Sequence, residues 1–257
     1  MKKLFLISLL FAEATFALEF SAGMRETFIT PNNYHFGSDS SARIRRALKD
    51  NGFNRFTLNT RLNLHQDSYI SHPRLKSSLR DLRTMISLVR FGGGKVSVKP
   101  QIMFGETHIP NLDKAEDSNL NLLFSTYQRE ISRYLNLSRK SDVDELIIGA
   151  GVNVLYKNNF SGLHNFHQYI DAVKSPETKL SLNIDDSSVL GNLDETLVLS
   201  INQFFDSVTY SIVSTENLDL KISELYRLHS EYFPDLAFSI ADLVITGCTE
   251  VVEGKNK

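Results

Sequence analysis

The sequence predicts an α/β protein in which one sheet of parallel strands is surrounded by helices. Short, β-rich apolar runs alternate with longer amphipathic runs at intervals of roughly 25 to 40 residues, a cadence that is typical of consecutive βα units. The chain has 257 residues, and no repeat, low-complexity tract or linker interrupts the alternation. One domain of this length and rhythm indicates a TIM-type (β/α) barrel.

The first βα unit opens with a predicted strand from Glu19 to Arg25, which a polar loop connects to a helix from Ser41 to Asn51. Ser40 or Ser41 can cap this helix because a serine hydroxyl accepts a free backbone N–H, and Gly52 ends it. The β-rich run that follows, from Phe53 to Asn59, is the second predicted strand.

The next helix is marked at both ends. Pro73 fits a first helical turn, since proline has no N–H to leave unpaired there. Apolar residues then recur every three or four positions from Leu75 to Val89, and three glycines, Gly92 to Gly94, stop the helix. Because these glycines follow a helix and precede a strand, their order is wrong for a phosphate-binding loop. The third predicted strand runs from Lys95 to Met103.

The remaining elements follow from the same two patterns, short β-rich runs and three- or four-residue apolar spacing. The predicted strands are Val143 to Gly149, Lys179 to Ile184, Ser207 to Ile212 and Leu236 to Ala241, and the predicted helices are Asn119 to Leu137, Gly162 to Val173, Val189 to Phe205 and Leu218 to Phe233. Only 16 residues run from Asp242 to Lys257, too few for a helix and an eighth strand. We therefore expect seven clear strands in a barrel that is incomplete, closes irregularly or is represented by a shortened chain.

The N-terminus has the order of a secretory signal peptide. Lys2 and Lys3 precede a short apolar run, and Thr15-Phe16-Ala17 offers small residues at the cleavage positions. The run is far shorter than the roughly 20 residues that span a bilayer, and no later stretch is long and uncharged enough to do so. We interpret residues 1–17 as a signal peptide and residues 18–257 as one exported domain, periplasmic or secreted from a bacterium.

Charge and cysteine content exclude several functional classes. The 28 basic and 30 acidic side chains give a net charge of −2, so no basic face for nucleic acid is indicated. The one cysteine, Cys248, cannot form an internal disulfide, which is compatible with a periplasmic protein that relies on a large core. His164 and His167 share a helical face without a third ligand, so we expect neither a metal nor a cofactor.

Polar side chains gather where the predicted strands end. In (β/α) barrels the working groups lie at the carboxyl ends of the strands, and such a mouth can hydrogen-bond a hydroxyl-rich ligand. We expect Gly151 and Asp242 at this end and Asp144 at the other. The candidate ligand-binding residues are Arg61, Lys99, Gln101, Glu106, Asn153, Asp185, Tyr210 and Asp242.

Several segments together resemble the β-mannanase-like glycoside hydrolase family 113 of clan A. Gly52 to Leu58 is similar to the start of the family's second strand, and Val96 to Ile102 is similar to its Lys-Pro-His third-strand end, with glutamine in place of histidine. Phe124 to Ile131 with Asp142 to Gly149 resembles the third helix and fourth strand, and Phe238 to Asp242 resembles the seventh-strand end. The resemblance implies a TIM barrel over most of the mature chain.

The resemblance also implies a catalytic pair that this sequence lacks. The family's fourth strand delivers the acid/base in an Ile-Gly-Thr-Glu pattern, where this chain has Ile148 to Gly151. The family's nucleophile glutamate ends the seventh strand, where this chain has Asp242. Retaining glycosidases need two carboxylates about 5 to 5.5 Å apart. Glycine transfers no proton and aspartate is one methylene too short, so the family mechanism is expected to be absent.

Three functions are compatible with these observations. The first is an exported glycoside-hydrolase-like pseudoenzyme that binds a glycan or another envelope component. The second is an active hydrolase with displaced carboxylates, such as Glu106 with Asp185 or Asp242. The third is a structural protein whose open sheet edge docks a partner. The absence of tryptophan argues mildly against a strong sugar-binding cleft, although nine tyrosines and 17 phenylalanines can supply stacking rings.

Natively expressed protein should lose residues 1–17. The charged, apolar and small-residue order of this segment predicts cleavage after Ala17. Intact-mass measurement on protein recovered from its native host should show a chain that begins at Leu18. A mature chain that retains Lys2 would contradict the prediction.

Overall fold

The structure is a computed structural model that describes residues 21–25, 54–64, 75–104, 117–185, 187–214 and 218–245. The strands in these ranges are β1 (Ser21–Arg25), β2 (Arg55–Leu64), β3 (Lys95–Phe104), β4 (Glu145–Ile148), β5 (Lys179–Ile184), β6 (Ser207–Ser214) and β7 (Ala237–Ile245). The helices are α1 (Leu75–Phe91), α2 (Asp117–Ser138), α3 (Asn153–Lys157), α4 (Gly162–Val173), α5 (Glu195–Phe204) and α6 (Leu218–Tyr232), and Ser187–Asn192 forms a 3₁₀ helix.

All seven strands form one parallel sheet in the order of the sequence, which confirms the predicted α/β class. The sheet is strongly curled. Strands β3 and β6 are three positions apart, about 14 Å in a flat sheet, yet Lys99 Nζ on β3 lies 3.1 Å from Ser211 Oγ on β6. Both side chains therefore point to a concave inner face. Within the described ranges each strand pairs with its neighbours in sequence order from β1 to β7, but β1 and β7 do not pair with each other. This part of the chain is therefore an incomplete barrel.

The outer face of the sheet is apolar and packs on the helices. Alternate residues of a strand point to opposite faces, and the outward positions carry buried aliphatic residues such as Val96, Leu182 and Val208. Helix α1 contributes Leu82 and Val89, two members of the predicted apolar stripe, to the same core. The main hydrophobic core thus lies between the sheet and its helices.

The inner face of the sheet is polar, even at its amino-terminal end. Glu145 at the start of β4 accepts hydrogen bonds from Arg55 Nη1 at 3.0 Å and Ser97 Oγ at 2.6 Å. It also accepts one from Ser181 Oγ, which in turn hydrogen-bonds Ser207 Oγ at 2.6 Å. A single carboxylate therefore connects β2, β3 and β5 and, through Ser181, β6. In TIM barrels this space is usually filled by branched apolar side chains.

Aspartates also join the amino ends of neighbouring strands. Asp144 lies at the amino-terminal end of β4, as expected, and its carboxylate accepts the Val96 N–H at 2.6 Å. Arg90 at the end of α1 pairs with the same carboxylate at 3.0 Å. Asp206 repeats the arrangement by accepting the Leu180 N–H at 2.8 Å. These residues stabilise the end of the sheet that is opposite to the candidate site.

The structure differs from the predicted elements at several points. Strand β2 continues past its predicted end at Asn59 to Leu64, so Arg61 lies inside it. The helix predicted from Val189 to Phe205 is two elements, because Asp194 caps α5 by accepting the Leu197 N–H at 2.8 Å and the 3₁₀ helix precedes it. Helix α3 was not predicted, since five residues are too few to show a period. Strand β7 continues past its predicted end, so Asp242 lies inside it.

Several predictions concern residues outside the described ranges. These are the signal peptide, the helix from Ser41 to Asn51, Glu106 and Cys248. No helix in the described part of the chain is both long and apolar enough to cross a membrane.

Glu145→Ala should be strongly destabilising. It leaves Arg55, whose side chain is 12% exposed, without this ion-pair partner, a change that costs about 3 kcal/mol. Glu231→Ala is the matched control, because its pair with Arg227 lies on the surface of α6 and should contribute less than about 1 kcal/mol. Urea denaturation followed by circular dichroism compares the two variants. Similar losses in both would contradict a central role for Glu145.

Candidate functional site

The turn after β4 contains Gly151, the position at which the resemblance to family 113 implies an acid/base glutamate that this chain does not have. Two glycines with positive φ shape this turn, Gly149 at 95° and Gly151 at 78°. Ile102 on β3 donates its N–H to the carbonyl oxygen of Ala150 at 3.1 Å, which holds the turn against the end of β3. Helix α3 then begins at Asn153.

No side chain fits at Gly151. A Cβ built there lies 2.1 Å from the carbonyl oxygen of Ile102, and residues with a side chain rarely adopt a φ of 78°. At Gly149, a Cβ would lie 2.8 Å from the carbonyl oxygen of Asn183. The backbone itself therefore requires glycine at both positions, and the turn has a shape that excludes a carboxylate at Gly151.

Pro100 helps to explain why the pairing between β3 and β4 stops after two residue pairs. These strands pair only through Ser97 with Glu145 and Val98 with Leu146, whereas β3 pairs with β2 over its whole length. The Ile102 N–H reaches the turn after β4, and alternate residues of a strand direct their N–H groups to the same side. The backbone nitrogen of Pro100 therefore faces β4. Because this nitrogen carries no hydrogen, the pairing of β3 with β4 lacks a hydrogen bond there.

Asp185, directly after β5, joins the ends of β4 and β5. Its carboxylate accepts the Gly151 N–H at 2.7 Å and an N–H of Asn153 at 3.2 Å. Asn183 Nδ2 donates to the other carboxylate oxygen, and the Asp185 N–H donates to Asn153 Oδ1 at 2.9 Å. Asp185 thus acts as an acceptor that fixes the turn in place.

A buried lysine extends this arrangement across the inner face. Lys99 is completely buried, and its Nζ donates to Ser211 Oγ at 3.1 Å. Ser211 Oγ lies 3.3 Å from the amide of Asn183, which itself contacts Asp185. A buried ammonium needs such polar partners because leaving it unpaired is costly. We call Lys99, Asn153, Asn183, Asp185 and Ser211 the inner polar cluster.

The structure brings some predicted site residues together and separates others. Lys99, Asn153 and Asp185 belong to the inner polar cluster, and the partly exposed Gln101 follows Lys99 on the same face of β3. The side chains of Arg61 and Asp242 and the whole of Glu106 lie outside the described part. The backbone of Asp242 pairs in register with Ser211, next to the cluster.

Tyr210 does not line the inner face. It is 1% exposed, its hydroxyl lies 3.1 Å from His229 Nδ1 on α6, and its ring packs on Phe238. This corrects the predicted placement at the mouth. Thr209 and Ser211, its two neighbours on β6, hold the inward positions, since adjacent strand residues face opposite ways.

Two other candidate features lie away from the inner polar cluster. A groove of about 400 Å³ lined by Arg139 and residues 172–176 lies at the opposite end of the sheet, where α2 and α4 lead into β4 and β5. Among the described side chains, no three His, Cys, Asp or Glu residues come together to hold a metal ion. His167 instead lies completely buried in the helical layer.

No protein-family model and no curated protein matches the chain, but solved structures do. A GH113 β-1,4-mannanase has a TM-score of 0.62 and 12% identity over 87% of this chain and 71% of its own. The GH113 β-mannanase AaManA from Alicyclobacillus acidocaldarius has a TM-score of 0.57 and 14% identity over 81% of this chain. The spore cortex-lytic enzyme SleL from Bacillus cereus has a TM-score of 0.52 and 8% identity over 85% of this chain.

The chain has a β-mannanase-like barrel fold. The structures confirm the resemblance to family 113 and the TIM-type architecture, and at these low identities they show the fold alone. The chain spans 66% of the length of AaManA and 49% of the length of SleL.

In this β-mannanase-like barrel, Gly151→Ala should cost far more stability than Gly93→Ala. The two glycines have similar φ values, 78° and 81°, but nothing lies within 4 Å of a Cβ added at Gly93. Gly93→Ala should show backbone strain alone, about 1–2 kcal/mol. Gly151→Ala adds the clash with Ile102, so we expect a loss of about 3 kcal/mol or more. Equal urea midpoints for the two variants would show that the turn moves aside.

Proposed function

We propose that the protein is a glycoside-hydrolase-like barrel that lacks the catalytic pair of its structural neighbours and binds a glycan or another hydroxyl-rich envelope component. The observation that carries the proposal is the turn at Gly151. The resemblance to family 113 puts the acid/base there, and the backbone leaves no space for a side chain. Retaining glycoside hydrolysis needs a proton donor at that place.

Asp185 is a poor replacement for the missing acid. Three N–H donors of the protein, from Gly151, Asn153 and Asn183, already bind its two oxygens. A substrate that engaged the carboxylate directly would have to displace these donors and release the turn. Glu145, the other carboxylate on the described inner face, is bound by Arg55 at the opposite end of the sheet. The described carboxylates therefore support the fold, and they do not form a catalytic pair.

The mouth of the barrel is better suited to binding than to proton transfer. Gln101 is partly exposed, and an amide side chain both donates and accepts hydrogen bonds. Sugar hydroxyls need both kinds of partner. The mannanases among the structural neighbours act on β-mannan, so β-1,4-linked mannose oligosaccharides are the first ligands to test. Export, predicted from residues 1–17, would bring this mouth to glycans of the cell envelope.

Hydrolysis by displaced carboxylates is the second candidate function. The observation in its favour is the register of β7, which places the backbone of Asp242 beside Ser211 and hence next to the inner polar cluster. Glu106 follows two residues after the end of β3. In this alternative these two carboxylates would perform the chemistry that the turn at Gly151 excludes.

The purified protein should bind β-1,4-mannooligosaccharides without hydrolysing them. Titration calorimetry measures binding, and chromatography of the incubated sugar measures turnover. Gln101→Ala should weaken binding about tenfold, because one lost hydrogen bond to a ligand is worth roughly 1.4 kcal/mol. Gln128→Ala, on the exposed face of α2, is the matched control and should bind like the wild type.

Two results would contradict the proposed function. Turnover by the wild type that Asp242→Ala abolishes would establish the displaced-carboxylate hydrolase. An absence of both binding and turnover across mannan, β-glucan and peptidoglycan oligosaccharides would instead favour the partner-docking function.

A further inference from the structure

His229, near the end of α6, connects this helix to the last two strands of the sheet. Its Nδ1 lies 3.1 Å from the Tyr210 hydroxyl on β6, and its Nε2 lies 2.8 Å from the carbonyl oxygen of Leu236, the residue directly before β7. The side chain is only 3% exposed, so its ring nitrogens need partners within the protein. One histidine therefore holds together α6, β6 and the start of β7.

The contact with Leu236 decides which ring nitrogen carries the hydrogen. A carbonyl oxygen only accepts hydrogen bonds, so Nε2 is the donor in this contact. In the neutral ring Nδ1 then has no hydrogen and accepts from the Tyr210 hydroxyl. Every donor in this arrangement has an acceptor, and the geometry fixes His229 as the neutral Nε2–H tautomer.

Apolar rings around His229 disfavour a positive charge there. The ring centroids of Phe233 and Phe238 lie 5.9 and 5.4 Å from that of the imidazole, and the Tyr210 ring lies at 5.9 Å. Burial lowers the pKa of His229, an effect that the hydrogen bond to Leu236 opposes. A hydrogen added at Nδ1 would also point at the Tyr210 oxygen, so the hydroxyl would have to turn its own hydrogen away from the ring.

The charged residues around this contact have other partners or face solvent. The Asp206 carboxylate, before β6, accepts a backbone N–H of β5 at 2.8 Å, and Asp235, before β7, is exposed. Arg227 and Glu231 on α6 pair with each other on the surface. In the described part of the chain, Tyr210 is thus the titratable partner of the imidazole.

We propose that His229 is a positioning residue that, as the neutral Nε2–H tautomer, anchors the start of β7 to α6 and β6, and that protonation of the ring in acid releases this anchor. Within the described ranges β7 pairs with β6 alone, so its position depends on such contacts. The backbone of Asp242, further along β7, lies beside Ser211. Acid therefore loosens the strand that leads to the mouth, whether or not the mouth binds a glycan.

The tautomer can be measured in the unmodified protein. Long-range ¹H–¹⁵N spectra at pH 7.5 should show His229 protonated at Nε2 and unprotonated at Nδ1, with the ring assigned through its nuclear Overhauser contacts with Phe238. The Nε2 hydrogen should give its own resonance, because the hydrogen bond to Leu236 slows its exchange with water. A hydrogen on Nδ1, or an Nε2 hydrogen that exchanges freely with water, would overturn the proposal.

Acid should destabilise the protein through His229. An unfolded histidine takes up a proton below a pH of about 6.5, whereas the folded ring stays neutral to lower pH. The folded state therefore loses stability relative to the unfolded state as the pH falls below this value. In urea denaturation, the unfolding constant of the wild type should rise about tenfold more between pH 7.5 and pH 5 than that of His229→Gln, which keeps the other histidines. An equal rise in both proteins would contradict the release in acid.

His229→Phe tests the anchor itself, because it keeps an aromatic ring and removes both hydrogen bonds. Amide hydrogens of residues 237–240, at the start of β7, should exchange with solvent at least about tenfold faster than in the wild type. His229→Gln should exchange more slowly than His229→Phe, since its side-chain amide can still donate to the Leu236 carbonyl.

His164→Gln is the matched control for the exchange measurement. His164 is a histidine of the same helical layer, but it lies on α4 and its ring packs on Phe204. This variant should leave exchange in β7 unchanged. Exchange in His229→Phe that equals exchange in His164→Gln would refute the anchor. If the His229 variants do not fold, the tautomer measurement decides, and none of these tests depends on a ligand.

Discussion

The polar inner face of the curled sheet is the constraint on which the rest of the structure depends. Polar groups that are buried there must find partners within the protein, because an unpaired group in the interior is costly. Glu145 meets this requirement at one end by accepting from Arg55 and two serines, and Asp185 meets it at the other. The contact between Lys99 on β3 and Ser211 on β6 exists only because the sheet curls. The curvature and the inner hydrogen bonds therefore stabilise each other.

The same requirement accounts for the unusual mouth of the barrel. A carboxylate that is to react must be accessible to a substrate, whereas Asp185 accepts three N–H groups of its own chain. Its contact with the Gly151 N–H holds the turn in a conformation that only glycine adopts easily. The requirement for glycine at position 151 and the structural use of the Asp185 carboxylate are thus two aspects of a single arrangement.

Local patterns in the sequence predicted most elements but not the faces of the strands. The bounds of β5 and α4 match the prediction, because Lys179–Ile184 and Gly162–Val173 each have clear ends. Tyr210 was assigned to the mouth, although its neighbour Ser211 is the residue that points there. From the sequence alone, Gly151 indicated only that a side chain is absent. The requirement for glycine comes from the close contact with the backbone of Ile102, a residue 49 positions away that no local pattern connects to Gly151.

The polarity of the inner face also bears on the gap between β1 and β7, which do not pair with each other within the described ranges. Layers of valine, isoleucine and leucine inside such a sheet would be exposed at the gap, at a cost of about 25 cal/mol per Å² of apolar surface. Here the apolar core lies between the sheet and the helices, where residues such as Val96 and Val208 remain buried without closure. The alternation in Lys95-Val-Ser-Val-Lys99 places the two valines toward the helices and Ser97 and Lys99 toward the inner face, so a single strand serves both environments.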